Sequence, residues 1–345
     1  MNVCLASYQS VMMLKGGPRT QILQTKRCLE QLGVNVTLFE SWHDFRKDKF
    51  DLIHFFGANI GTYHLAREIR KLDIPIIVTP IFFTCRSPFI IRSVVLMDSV
   101  VRMLARGAWT DYGIVAEICR WAKAILPNTR KEARLIEKGL RIAGEKISVI
   151  PNGVDVRFAY GDPILFKEQY GVDNFVLNVG HIGPARKNVL QLIAALEKIY
   201  VPSVIIGRIE DNEYGRKCLE LAEHNPRLLI LDTIPNDSPL LASAYAAADV
   251  FVLPSQFETP GIAALEAGLA GAKIVITKYG GTEEYFGSYA EYVEPTSWEL
   301  IHHGITTALN KKKDSTLKDH IKREFLWERV AHGTLLVYQQ VLANS

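Results

Sequence analysis

The chain has 345 residues, 48% hydrophobic and 22% charged, which is enough to fill two ordinary cores and excludes a disordered or fibrous protein. Net charge is +3, and no element gathers aromatics or arginines into a stripe, which argues against a nucleic-acid partner. Cys4, Cys28, Cys85, Cys119 and Cys218 are scattered without a Cys-x-x-Cys pair, so neither a disulfide framework nor a zinc site is suggested. No apolar run reaches the length of a membrane span, and Met-Asn-Val-Cys-Leu-Ala-Ser starts a strand with no basic flank or cleavage site; a reducing, cytoplasmic setting is expected.

In chain order, residues 2–8, 34–40, 52–56, 74–79, 124–127 and 147–151 read as strands, and 19–32, 63–72 and 130–138 as helices. After the turn Pro151-Asn-Gly-Val the rhythm restarts, with strands at 175–179, 203–207, 228–232, 250–254 and 273–277, each followed by a helical stretch. This alternation predicts two α/β domains with parallel sheets, spanning 1–163 and 164–324. The segment from about 325 to 345 has apolar residues near helical spacing and can pack on either domain. The two halves differ in charge: about 23 Lys and Arg against about 14 Asp and Glu in 1–160, about 17 against about 23 in 161–345. A basic front half fits an anionic membrane surface or a phosphate-bearing substrate. Residues 89–106 break the rhythm as an apolar helix with Arg92, Arg102 and Arg106. They read either as a half-buried helix beside the sheet or as a surface that lies on a membrane.

Three stretches carry chemistry. The first strand runs through Lys15 into Gly16-Gly17-Pro18-Arg19 and a helix, where two glycines permit a tight turn facing the crevice above the strand ends. The dinucleotide fingerprint Gly-x-Gly-x-x-Gly is absent. Strand 175–179 leads to Arg186-Lys187-Asn188 ahead of a helix, and two cations there oppose the helix dipole unless an anion keeps them in place. In Glu258-Thr-Pro-Gly-Ile-Ala-Ala-Leu-Glu266, Thr259 suits an N-cap and Pro260 the first helical position. The N–H groups of Gly261, Ile262 and Ala263 then offer a phosphate seat. Counted along a helix, Glu266 falls on nearly the same side as Glu258.

Pro151-Asn-Gly-Val-Asp155, Gly180 with Lys187-Asn188, Tyr245 with Ala248-Asp249-Val250 and Pro254-Ser255, Glu258 with Glu266, and Gly280-Gly281 with Glu284 resemble, in order and spacing, the retaining glycosyltransferases of family 4. The resemblance covers nearly the whole chain, and Glu-x7-Glu is its most specific part. It implies the GT-B fold: two Rossmann-like parallel-sheet domains facing across a cleft, acceptor domain first and donor domain second. It implies transfer of a hexosyl or related sugar from a nucleotide diphosphate, UDP foremost, to a glycan or lipid-linked saccharide in cell-surface polysaccharide synthesis. By the same resemblance Glu258 meets the donor sugar, Gly261 to Ala263 and Lys187 the phosphates, and Glu266 the ribose. Gly16, Gly17 and Arg186 join the donor site, with Glu258, Lys187 and Arg186 as its catalytic group.

The chain departs from that family at His181, where an arginine is usual, and at Pro80-Ile-Phe-Phe83, where a histidine commonly follows the strand. It has no Asp-x-Asp, so a metal-independent reaction without a cofactor is expected, the leaving diphosphate being neutralised by Lys187, Arg186 and helix dipoles. Peripheral contact with the inner face of a membrane fits the same expectations. The alternatives are a GT-B isomerase acting on the UDP-sugar itself, such as a 2-epimerase, and a sugar-nucleotide-binding subunit without catalysis.

Overall fold

The computed structural model describes residues 1–13, 16–104 and 109–344, with side chains throughout except at 99 and 102–104. Lys15 and Arg106, and the side chain of Arg102, therefore lie outside the described residues. The chain divides into two compact units, Met1–Gly153 with Trp327–Ser345, and Val154–Leu326.

The first unit contains β1 (Asn2–Ser7), α1 (Gly17–Gln31), β2 (Asn35–Leu38), β3 (Leu52–Phe56), α2 (Ile60–Arg70), β4 (Ile76–Thr79), α3 (Pro88–Leu104), α4 (Asp111–Trp121), β5 (Ala124–Ile125) and α5 (Arg130–Arg134), the last continuing as a π-helical turn, Leu135–Gly139. Its sheet has the order β2-β1-β3-β4-β5, every pair parallel. Alternation along the strands builds two cores. Cys4, Ala6, Ile53 and Phe55 face one layer with Ala66 and Ile118, while Val3, Leu5, Leu52 and Phe56 face the other with Leu29 and Trp327. Helix starts use short polar side chains: Asn59 Oδ1 accepts from Gly61 N at 2.9 Å and Thr110 Oγ1 from Gly113 N at 3.0 Å.

The second unit contains α6 (Pro163–Tyr170), β6 (Val176–Val179), α7 (Val189–Glu197), β7 (Ser203–Ile206), α8 (Glu213–Glu223), β8 (Leu228–Leu231), α9 (Pro239–Ala247), β9 (Val250–Leu253), α10 (Ile262–Ala270), β10 (Lys273–Thr277), α11 (Thr282–Phe286), β11 (Ala290–Val293), α12 (Trp298–Asn310) and α13 (Thr316–Glu324). Its parallel sheet runs β11-β10-β9-β6-β7-β8. The strand order reverses between β6 and β9, and in open α/β sheets ligands bind at the carboxyl ends of the strands that flank such a reversal. The last helix, α14 (Trp327–Ala343), packs in the first unit beside α1.

Two sequence expectations differ from the structure, and one strand went unread. Residues 147–151 form no strand; Ile147 makes a single bridge to Ile125, with Ser148 N donating to Ile125 O and Ile150 N to Pro127 O. Proline at 127 and 151 withholds the donors that a longer ladder requires. A strand that the sequence reading missed, β11, is short and only half-buried. The break between units comes at Gly153, ahead of residue 163, because Val154 and Phe158 belong to the second core, where Phe158 packs edge-on against Tyr245.

His54 is buried on β3, its Nδ1 2.6 Å from Tyr338 Oη and its Nε2 2.9 Å from Thr79 Oγ1. Burial pushes its pKa down to about 3, so the ring is a neutral structural link to α14. Tyr338→Phe leaves one ring nitrogen unpaired, and the expected loss is about 1–3 kcal/mol of stability. Thermal denaturation checks this; an unchanged melting temperature would show that the bond contributes nothing.

Candidate active site

Two loops meet where the second sheet reverses its order. The loop after β6 ends in a 3-10 turn, Ala185–Lys187, followed by Asn188 in the left-handed region at φ 61°. Asn188 Nδ2 is spent on the carbonyls of Pro254 at 3.0 Å and Pro295 at 2.6 Å, so it does not cap α7 by its side chain. Gln256 N donates to Arg186 O at 2.9 Å. These bonds sew the loop after β6 to the loop after β9.

The join brings Lys187 Nζ to 2.6 Å from Glu258 Oε1, with Arg186 NH1 at 3.6 Å from the same oxygen. Arg186 also donates from NH1 to Phe257 O at 3.1 Å and lies over the Phe257 ring, so it secures the chain beside Glu258 more than it grips the carboxylate. Glu258 is 9% exposed. Burial alone raises its pKa, but Lys187 and then Arg186 outweigh that and hold it below the usual carboxylate range. Its backbone is clamped as well: Glu258 N donates to Tyr279 O at 3.1 Å and Gly281 N to Glu258 O at 2.9 Å. Gly280 sits at φ 104°, and a Cβ there would come within 1.8 Å of Glu258 O, so only glycine fits.

Thr259 does not cap the following helix, contrary to the sequence reading. Gly261, left-handed at φ 73°, takes that position, and α10 starts at Ile262. The first bonds of the helix run from Ala264 and Leu265 N to Gly261 O, so the N–H groups of Gly261, Ile262 and Ala263 precede its hydrogen-bond ladder. The Glu258-to-Glu266 spacing is therefore not eight helical steps: Glu258 is held by the Gly280 bridge, and Glu266 lies one turn into α10.

Glu266 is buried, and neutral donors meet its two oxygens. Asn236 Nδ2 donates to Oε1 at 2.9 Å and Tyr245 Oη to Oε2 at 2.8 Å. Burial is the largest influence and raises its pKa to about 7, despite these bonds and the field of Arg157. Arg157 NH2 in turn holds Asn236 through its backbone oxygen and, at 2.9 Å, its Oδ1, while the guanidinium lies over Phe158. Sequence reasoning missed Asn236 and Arg157; no spacing links either to Glu266. Gly16 and Gly17 stand in the first unit at the start of α1, Gly16 extended at φ −154° and Pro18 in the first turn. Every other site residue named from the sequence belongs to the second unit. Among the described residues no cluster of His, Cys, Asp and Glu is arranged to hold a metal ion.

Residues 39–158 match the family described as Glycosyltransferase Family 4 and residues 165–324 the one described as Glycosyl transferases group 1. The chain is similar to an uncharacterized glycosyltransferase, MJ1607, of Methanocaldococcus jannaschii, 28% identical over 221 residues, 56% of this chain and 54% of that one. It thus spans about half the length of that relative. It is also similar to the D-inositol 3-phosphate glycosyltransferase of Segniliparus rotundus, 26% identical over 350 residues, 95% of this chain and 74% of that one. Among solved structures, sucrose-phosphate synthase of Thermosynechococcus elongatus superposes with a TM-score of 0.77 at 17% identity over 100% of both chains. Anabaena Alr3699/HepE in complex with UDP and glucose gives 0.73 at 16%, over 99% of this chain and 100% of that one. With parallel sheets in both units, these likenesses define the fold as GT-B. The two family matches support a glycosyltransferase of the group 1 and family 4 type.

The raised Glu266 pKa carries a sign that can be checked. Between the ordinary 4.5 and about 7, the folded protein keeps a proton that the unfolded chain has released. That contribution is complete below 4.5 and lost as pH rises through about 7. Wild-type stability relative to Glu266→Gln should fall between pH 5 and 7 and level off above, as read from denaturant midpoints. A pH-independent difference would remove the perturbed carboxyl.

Proposed function

We propose that the protein is a retaining hexosyltransferase that takes its sugar from a UDP-sugar and passes it to a hydroxyl of a glycan or lipid-linked saccharide, in cell-surface polysaccharide synthesis at the cytoplasmic side of a membrane. The observation that carries this reading is the Glu258–Lys187 pair at the sheet reversal, beside the start of α10. A diphosphate would lie against the N–H groups of Gly261 to Ala263 and receive a further bond from Lys187, whose ammonium has three donors. Glu258, kept ionised, accepts from sugar hydroxyls, and Glu266 from the ribose. The two domain matches, the sugar transferases among the relatives and the nucleotide named with HepE support a nucleotide-sugar donor.

In the chemical step the acceptor oxygen bonds to the anomeric carbon as the bond from that carbon to the diphosphate oxygen breaks. The leaving oxygen takes the acceptor proton on the same face, so no enzymic base is required. Lys187 and the α10 N-terminus offset the charge that develops on the leaving group, which is why we propose metal independence. Glu258 holds the sugar but stays clear of proton transfer.

Above pH about 7, where Glu266 is ionised, Lys187→Ala and Glu266→Ala should each weaken UDP binding by about 10- to 150-fold, the worth of a charge-assisted contact. Calorimetric titration reads this, and parent-like affinity in both variants would overturn the donor site. Glu258→Ala should leave UDP affinity within a few-fold while lowering turnover and the preference among UDP-sugars. A chelator should leave turnover unchanged; activity lost to EDTA and restored by magnesium or manganese would refute metal independence.

A further inference from the structure

Helix α3 turns its apolar residues outward. With about 100° per residue, Phe89, Leu96, Met97 and Val100 fall within an arc of about 100°, whereas Ile91 and Val95 point to the far side. Burial follows that division: Ile91 and Val95 are buried, while Phe89 is 77% exposed, Met97 66% and Val100 52%. The helix thus has a core face and, across from it, a second apolar face that the described residues leave largely exposed.

Charge identifies the occupant. Between residues 80 and 109 the one acid is Asp98, which is buried and accepts from Thr110 N at 2.6 Å. Arg86 and Arg92 are exposed, before the helix and on its first turns. The first unit as a whole has 23 Lys and Arg against 14 Asp and Glu, whereas the second has 17 against 23. An apolar helical face with cations and no exposed acid, on a basic unit, suits an anionic lipid surface, where apolar burial and Coulomb attraction add. A second copy of the same face would bring like charges together. No described helix is long and apolar enough to cross a bilayer, so the contact is peripheral.

We infer that α3 is a docking face for an anionic lipid bilayer, with Phe89, Leu96, Met97 and Val100 entering the headgroup region and Arg86 and Arg92 meeting lipid phosphates. This does not rest on the donor chemistry proposed above.

Co-sedimentation of the full chain with vesicles tests it, using phosphatidylcholine alone and phosphatidylcholine with about 30% phosphatidylglycerol. The parent should pellet with the anionic vesicles and stay in solution with the neutral ones, and about 0.5 M salt should weaken the binding by screening. Met97→Glu with Val100→Glu should lower the bound-to-free ratio at least about tenfold, with circular dichroism and UDP affinity as in the parent. Arg86→Glu with Arg92→Glu, which leaves the apolar face intact, should abolish the anionic preference. A parent that remains in the supernatant with anionic vesicles, or a double-glutamate variant that binds like the parent, overturns the inference. So does a dimer in sedimentation velocity that these glutamates dissolve, since the face would then belong to a second copy.

Discussion

Burying a carboxylate is the constraint from which the rest of the second unit's site follows. An isolated ionised carboxylate away from water would neutralise itself. Glu258 stays charged because Lys187 stands 2.6 Å away with Arg186 behind it. That pairing survives only if two loops keep register, which explains the surrounding polar work. Asn188 ties the loop after β6 to Pro254 and Pro295, Gln256 reaches back to Arg186, and Gly280 lets the backbone come close to Glu258. Removing one partner of a buried pair is costly, so Lys187 and Glu258 contribute to stability together.

Glu266 meets the same problem with a different answer. Its oxygens are satisfied by an amide and a phenol rather than a cation, and burial dominates. Two glutamates eight positions apart are thereby driven in opposite directions, Glu258 below the ordinary carboxylate range and Glu266 up to about 7. Environment, not residue type, separates them. The Arg157–Asn236–Glu266 chain of contacts also links the segment that opens the second unit to α10.

Topology supplies the position. The second sheet reverses its order between β6 and β9, and the lysine loop and the Glu258 segment are the connections that leave those two strands. No separate explanation is needed for their meeting. The first unit has its own reversal beside β1, and Gly16 and Gly17 lie on the connection that follows that strand.

Apolar runs and their alternation with amphipathic segments are local properties, so the sequence alone determined two parallel α/β sheets, most of their strands and the stretches that hold Lys187, Glu258 and the α10 N-terminus. It failed where the outcome depends on distant partners. Thr259 has the chemistry of a cap, but Gly261 took the position, left-handed at φ 73°, where a Cβ would come within 2.9 Å of the Leu253 side chain. Residues 147–151 look like a strand, yet prolines on both sides of the pairing limit it to one bridge. Asn236 and Arg157 gave no signal, because what matters about them is an approach across the fold to a carboxylate 30 and 109 positions away. Only the tertiary structure decided which glutamate is paired with a cation and which is not, since desolvation and Coulomb terms depend on distances in space that spacing along the chain does not contain.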